Sequence, residues 1–319
     1  GEGCYEYMID VVVVMKSVVY SVVIAIGAIG IAAIYGATKT FNFAHSSMVS
    51  WGGYIVFTMV CFYGGLPYMY FPLAFALSAA LGLVTYFAVN RWLLKAKASD
   101  ISLMMTTLGV DLILFAFINH FADFMIYNYK IPVAKNFVLE IKDPVFYAGG
   151  VPVRMSWIMA PILLAIVLVA IYAIFTKTKI GIAMRATIEN PELAQLQGVN
   201  PELVYVASWV IGGGLAGLSG ALLVMIFTGR PSIGLETVVT FFAGAIVGGG
   251  ARDVFGAALG GFLVGLSELI IPSILAPVIG GWIYAYRAAI PLAIMAAMNL
   301  TEPGGLITLA RKMRAKVVK

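Results

Sequence analysis

The chain alternates between long apolar stretches and short polar interruptions. Mostly apolar runs occupy 11–38, 46–63, 70–94, 101–127, 155–176, 204–228, 237–250, 254–274 and 280–300. A helix needs about 20 mostly apolar residues to cross a bilayer, and most of these runs are that long. The stretch 237–250 is shorter and glycine-rich, which predicts a broken or re-entrant element. The pattern predicts an all-α, polytopic helical membrane protein with eight or nine spans, forming one transmembrane domain over residues 1–319. A transmembrane β-barrel would instead show short segments of alternating polarity.

Composition excludes a soluble fold. The 319 residues are 62% hydrophobic and 11% charged, with a mean hydropathy of +0.99; a soluble domain carries about 25% charged residues. The 34 glycines suit closely packed membrane helices. The net charge of +5 is no nucleic-acid signal, because the basic residues sit at segment ends and in the tail.

Three basic clusters fit one side of the membrane: Arg91, Lys95 and Lys97; Lys177, Lys179 and Arg185; and Arg311, Lys312, Arg314, Lys316 and Lys319. Even numbers of spans separate them, so the positive-inside rule makes that side the cytoplasm. The expected location is the plasma membrane, with the N-terminus outside, the C-terminus cytoplasmic and the loop 128–154 external. Glu2, Glu6 and Asp10 precede the first apolar run, the wrong charge for a cleavable signal peptide. Cys4 and Cys61 make no metal or disulfide framework. Both fall near the outer face, where a disulfide and two free thiols both stand open.

The loop 177–203 carries strong helix punctuation. Asn190 suits an N-cap, Pro191 the first helical position, Glu192 the positive end of the dipole and Gly198 the stop. A helix of about two turns is predicted over 191–197, and Asn200, Pro201 and Glu202 repeat the start signal. So short a helix does not stand alone in water. It is expected to dock, either on the membrane surface or, as a coupling helix, in a groove of a cytoplasmic partner. Arg185, Glu189, Leu193 and Leu196 complete the expected docking set.

Five motifs, in order along nearly the whole chain, resemble the Liv-type branched-chain amino acid permeases of ATP-binding-cassette importers. They are "NFAHSSMVSWGGY", "TTLGVDLIL", "GIAMRATIENPELAQLQGVN", "FFAGAIVGGGARDVFGAALGGFLVGLSE" and "TEPGGL". Ser46, Asp111 and the pair Gly181–Ile182 depart from the family's usual Gly, Ser and Gly-Arg. The resemblance implies a permease subunit moving branched-chain or other amino acids by alternating access. Its implied partners are a second permease, identical or homologous, two ATPase subunits and an extracellular substrate-binding protein. No catalytic residue, cofactor or metal is expected, and "YGATKT" lacks the glycine spacing of a phosphate-binding loop.

The first and sixth spans are both glycine-rich and both lead into a polar break and a short segment. By the predicted topology they run in opposite directions, the pattern of an inverted-topology repeat whose interrupted helices line a substrate path. Asn42, His45, Ser46 and Ser47 on one side, and Ser232 and Glu236 on the other, are therefore candidate pathway residues. Asp111 joins them as a mid-membrane carboxylate with no evident partner in sequence. Glu268 and Arg287 fall at equal depth on adjacent spans and are expected to pair structurally. His45 is expected to be a hydrogen-bonding residue. The rival readings are a proton-coupled secondary transporter working through Asp111 or His45, and a passive urea or amide channel. The capped helix favours the importer, since a stand-alone carrier needs no docking element.

Overall fold

The computed structural model describes residues 2–148 and 151–317, with side chains over 11–147 and 152–314. The chain enters through α1 (Glu2–Thr38), turns back into α2 (His45–Tyr63) and descends through α3 (Phe71–Thr85). A π-helical turn, Tyr86–Asn90, carries α3 into α4 (Arg91–Lys95). The long α5 (Asp100–Tyr129) follows, then a long loop with two paired strands, β1 (Val145–Ala148) and β2 (Val151–Arg154), antiparallel with Val145 opposite Arg154. Next come α6 (Met155–Lys177), α7 (Lys179–Glu189), α8 (Pro191–Leu196) and α9 (Pro201–Leu223). The chain closes with α10 (Ile233–Gly249), α11 (Val254–Ile279), α12 (Ala289–Thr301) and α13 (Gly305–Val317).

Among the described residues seven helices are long and apolar enough to cross a membrane: α1, α2, α3 with α4, α5, α6, α9 and α11. An eighth is reached if α12 and α13, bent by 45° at their junction, count as one span. The predicted run 280–300 is therefore not one straight helix: a 3-10 turn, Gly281–Tyr286, precedes α12. The 17 residues of α10 rise about 25 Å, short of the ~30 Å hydrocarbon core.

α1 is the central pillar. Its spanning part is apolar on every side and almost wholly buried, as expected for a helix enclosed by others. Its Val and Ile residues are poor helix formers in water, but a bilayer leaves the backbone no partner outside the helix. α9 packs between α1, α2 and α3 through small residues. A Cβ added at Gly52 of α2 would strike the Gly217 backbone of α9, and one at Gly220 would strike the Val49 carbonyl. These are contacts only glycine allows.

Two faces emerge. One gathers the end of α1, the α4–α5 link, α7, α8, the start of α9 and the α10–α11 turn. Arg91 of α4 reaches Glu202 of α9 at 2.6 Å there. The opposite face holds the loop with β1 and β2, where Glu140 takes Lys16 at 3.1 Å and Arg154 at 3.2 Å. Asp123 pairs there with Lys135 at 2.6 Å. Cys61 is exposed on that side; the Cys4 side chain, and with it the pairing, lies outside the described residues.

Candidate functional site

The polar patch after α1 is buried. The chain leaves α1 at Thr38, Lys39 takes a left-handed φ of 57°, and residues 40–44 run back into the protein without helix. His45 comes to rest beside Gly30, eight residues before the end of α1, or about 12 Å along it. Thr107 of α5 holds this segment: its hydroxyl accepts the Phe43 N–H at 3.1 Å and lies 3.2 Å from the Phe41 carbonyl.

α2 thus begins inside the protein, and its residue at the cap, Ala44, offers no side-chain acceptor. The first N–H groups of any helix lack intrahelical partners. Asp111 of α5 supplies one. Its Oδ1 accepts the Ser46 hydroxyl at 2.6 Å and the Ser47 N–H at 3.0 Å, while the Ser47 hydroxyl donates to the Asp111 carbonyl at 3.0 Å. A carboxylate at the positive end of a helix is favourable. Asp111, which has no evident partner in sequence, thus caps α2 from another helix.

α10 meets the same first turns. The Gly234 N–H donates to Ser50 Oγ at 3.0 Å, and a Cβ at Gly234 would strike the Ser46 carbonyl. About two turns further on, Phe241 and Phe242 reach the buried segment. His45 meets the Phe241 ring edge-on at 5.6 Å, and Phe43 meets Phe242 at 5.0 Å. The two interrupted helices therefore pack start to start around one buried polar seam. His45 does not fill the hydrogen-bonding role expected of it. Both its ring nitrogens, and the Asn42 amide, are buried without a hydrogen-bond partner among the described residues.

Ser232 and Glu236 lie apart from that seam, on the side of the loop with β1 and β2. Glu236 accepts the Ser232 hydroxyl at 2.8 Å and stands 2.6 Å from Arg230. One turn deeper, Glu268 of α11 is buried. Its Oε2 accepts the Tyr20 hydroxyl at 2.9 Å and the Thr240 hydroxyl at 2.8 Å. Arg287 Nε stands 3.7 Å from Oε1. The structure thus brings Glu268 and Arg287 together, and separates Ser232 and Glu236 from Asn42, His45, Ser46, Ser47 and Asp111.

The loop face is built as punctuated. The Asn190 side chain accepts the Leu193 N–H at 3.0 Å, Pro191 opens α8, and Gly198 takes φ +83° after its end. Only Ala194 of α8 is buried. Leu193 and Leu196 are exposed, Leu196 to 82%. Arg185, Glu189 and Glu192 are exposed beside them. α7 was not foreseen. Thr178 caps it by accepting the Gly181 N–H at 3.1 Å, and Gly181 is needed because a Cβ there would strike the Ile174 carbonyl. A cavity of about 210 Å³ between α7 and the α10–α11 turn is lined by Arg185, Glu189, Arg252 and Asp253.

Ser50, Thr107, Tyr20, Thr240 and Arg230 escaped the sequence reading. Four-residue spacing was the available signal: Ser46 with Ser50, Thr107 with Asp111 and Glu236 with Thr240 each share a helix face. Among the described residues no group of three His, Cys, Asp or Glu side chains could hold a metal ion.

Residues 13–300 match the family described as the permease component of the branched-chain amino acid transport system. The chain is 33% identical to a protein of Methanocaldococcus jannaschii named probable branched-chain amino acid transport permease protein LivH, covering 91% of this chain and 90% of the relative. It is 25% identical to the high-affinity branched-chain amino acid transport permease BraD of Pseudomonas aeruginosa, covering 89% and 91%. It is 22% identical to the corresponding LivH of Escherichia coli, covering 89% and 90%. No solved structure matches the chain.

Proposed function

We infer, from a chain that belongs to the family of branched-chain amino acid transport permease components, that it is the membrane-spanning half of an importer for branched-chain or other amino acids. In this reading it is a multi-pass membrane protein with its N-terminus outside and its C-terminus in the cytoplasm. Two ATPase subunits drive it from below, a second permease completes the path, and an extracellular binding protein delivers substrate. Residues 1–319 act as one transmembrane domain with 177–203 as the coupling loop.

The observation that carries the reading is α8. It is a capped two-turn helix whose apolar Leu193 and Leu196 face outward on the basic face. An exposed apolar helix face at the end of a rigid connection is suited to a groove on a partner. Arg185, Glu189, Asn190, Pro191, Glu192 and Gly198 shape or flank that face. The buried seam supports a second part of the reading. The paired starts of α2 and α10 form an inverted-repeat core, and sliding one start past the other opens the path alternately to either side. Asn42, His45, Ser46, Ser47 and Asp111 lie in that gate, and Ser232 and Glu236 form its outer rim.

The test is affinity purification in mild detergent. The wild-type chain is expected to bring down an ATPase subunit, and Leu193→Ser with Leu196→Ser to lose it while the permease stays folded. Equal ATPase retention by the double variant would remove the role given to α8.

A further inference from the structure

Ser232, just before α10, and Glu236 and Thr240 in its first half are polar. Four-residue spacing puts them on one face, about 12 Å from first to last. At the rim Glu236 is fully engaged by Arg230 and Ser232. The deeper pair differs. Two hydroxyls from two helices, Tyr20 and Thr240, fix one oxygen of Glu268. The other oxygen faces Arg287 at 3.7 Å, well beyond the ~2.7–2.9 Å of a charge-assisted hydrogen bond.

Arg287 is held by other means. Its guanidinium carbon lies 4.9 Å from the centre of the Phe227 ring, which itself packs edge-on against Tyr20 at 5.5 Å. Its side chain is 30% exposed, against 2% for Glu268. Ion pairs buried for structure alone gain most when they close and satisfy their remaining donors and acceptors. This one is loose, backed by Tyr20 and Thr240 on one side and by Phe227 on the other, with the arginine partly exposed.

We propose that Glu268 and Arg287 form a subsite for the α-ammonium and α-carboxylate groups of an amino acid in transit, entered along the Ser232, Glu236 and Thr240 face of α10. The inference rests on the importer reading above. The ligand carboxylate takes the forked donors of Arg287, its ammonium donates to the second oxygen of Glu268, and Tyr20 and Phe227 wall the site. The pair is neutral as a whole, so a lone cation or anion leaves one charge unmatched, whereas a zwitterion matches both.

The test uses the complete complex in proteoliposomes, with loaded binding protein, reading leucine moved per ATP hydrolysed. Glu268→Gln, Arg287→Gln and the double variant are each expected to lower that ratio roughly tenfold, the cost of a lost charged hydrogen bond. Stimulation of ATP hydrolysis by the binding protein is expected to persist. Recovery of the ratio in the double variant means a structural pair and overturns the proposal. Where neutral variants fail to assemble, Arg287→Lys decides, since it keeps the charge and loses the fork. A fall of the same order supports the subsite, and a wild-type ratio overturns it. If the wild-type complex itself moves no amino acid with ATP, the importer reading fails instead.

Discussion

Replacing Asp111 is the sharpest perturbation the buried seam offers. Asp111→Ala removes the acceptor of the Ser46 hydroxyl and the Ser47 N–H, both buried. A buried donor left unpaired costs about 1–3 kcal/mol. Loss of the carboxylate from the helix start costs up to a further ~2 kcal/mol in a buried geometry. For the two donors the sum is on the order of 2–8 kcal/mol, a large part of a typical net stability. Asp111→Asn keeps an acceptor and loses only the charge, so its cost is about 1–2 kcal/mol. The order of stability is therefore wild type, then Asn, then Ala. Thermal unfolding of the purified protein in detergent, followed by loss of the monodisperse peak, reads that order directly. An Ala variant as stable as wild type would refute the cap. So would an Asn variant of wild-type stability that no longer transports, because that result makes the charge functional rather than structural.

Three further outcomes are expected. Gly52→Ala and Gly220→Ala, which drive a methyl into facing backbone, each lower the same unfolding midpoint by the equivalent of about 1–3 kcal/mol, whereas Gly109→Ala, with nothing within 4 Å, leaves it unchanged or slightly raised. Asn190→Ala removes the α8 cap at a cost of about 1 kcal/mol, and weakens ATPase capture in the purification assay without lowering the unfolding midpoint of the membrane domain. Lys39, at the end of α1, has its pKa lowered by burial and by repulsion from Arg252, against an opposing pull from Asp100. Its folded pKa lies below its unfolded value, so as pH rises toward 10.5 the native state releases its proton first and stability increases; wild type minus Lys39→Gln should therefore show an unfolding midpoint that rises as pH approaches 10.5 from below, and a flat or falling difference contradicts that assignment.

Much of the architecture was legible because a bilayer imposes a strict length and polarity on each helix. The runs at 46–63, 101–127 and 155–176 became α2, α5 and α6 with ends shifted by at most two residues. Local chemistry was equally readable where the partners are neighbours, as in the Asn190 cap of α8. The structure departed where packing decides. α7 was missed because its buried positions, Gly181, Met184 and Thr187, interrupt a polar stretch too short for a membrane pattern. The strands 145–148 and 151–154 belong to a loop with no alternating signature strong enough to read. The seam depended on contacts between distant positions. Ser46 and Asp111 were each visible as departures from a family pattern, yet only the fold shows them 2.6 Å apart. Equal depth on adjacent spans did point to Glu268 and Arg287, but nothing in the order of residues indicated Tyr20, 248 positions away.

The central claim is that this chain moves amino acids only when a separate ATPase drives it. Reconstitution of the purified complex into liposomes, with binding protein outside and ATP supplied to the ATPase side, tests it directly through accumulation of labelled leucine. The account predicts uptake above the external concentration with ATP, and none with a non-hydrolysable analogue. Flux through the chain without ATP, whether down its own gradient or driven by a proton gradient, would contradict it.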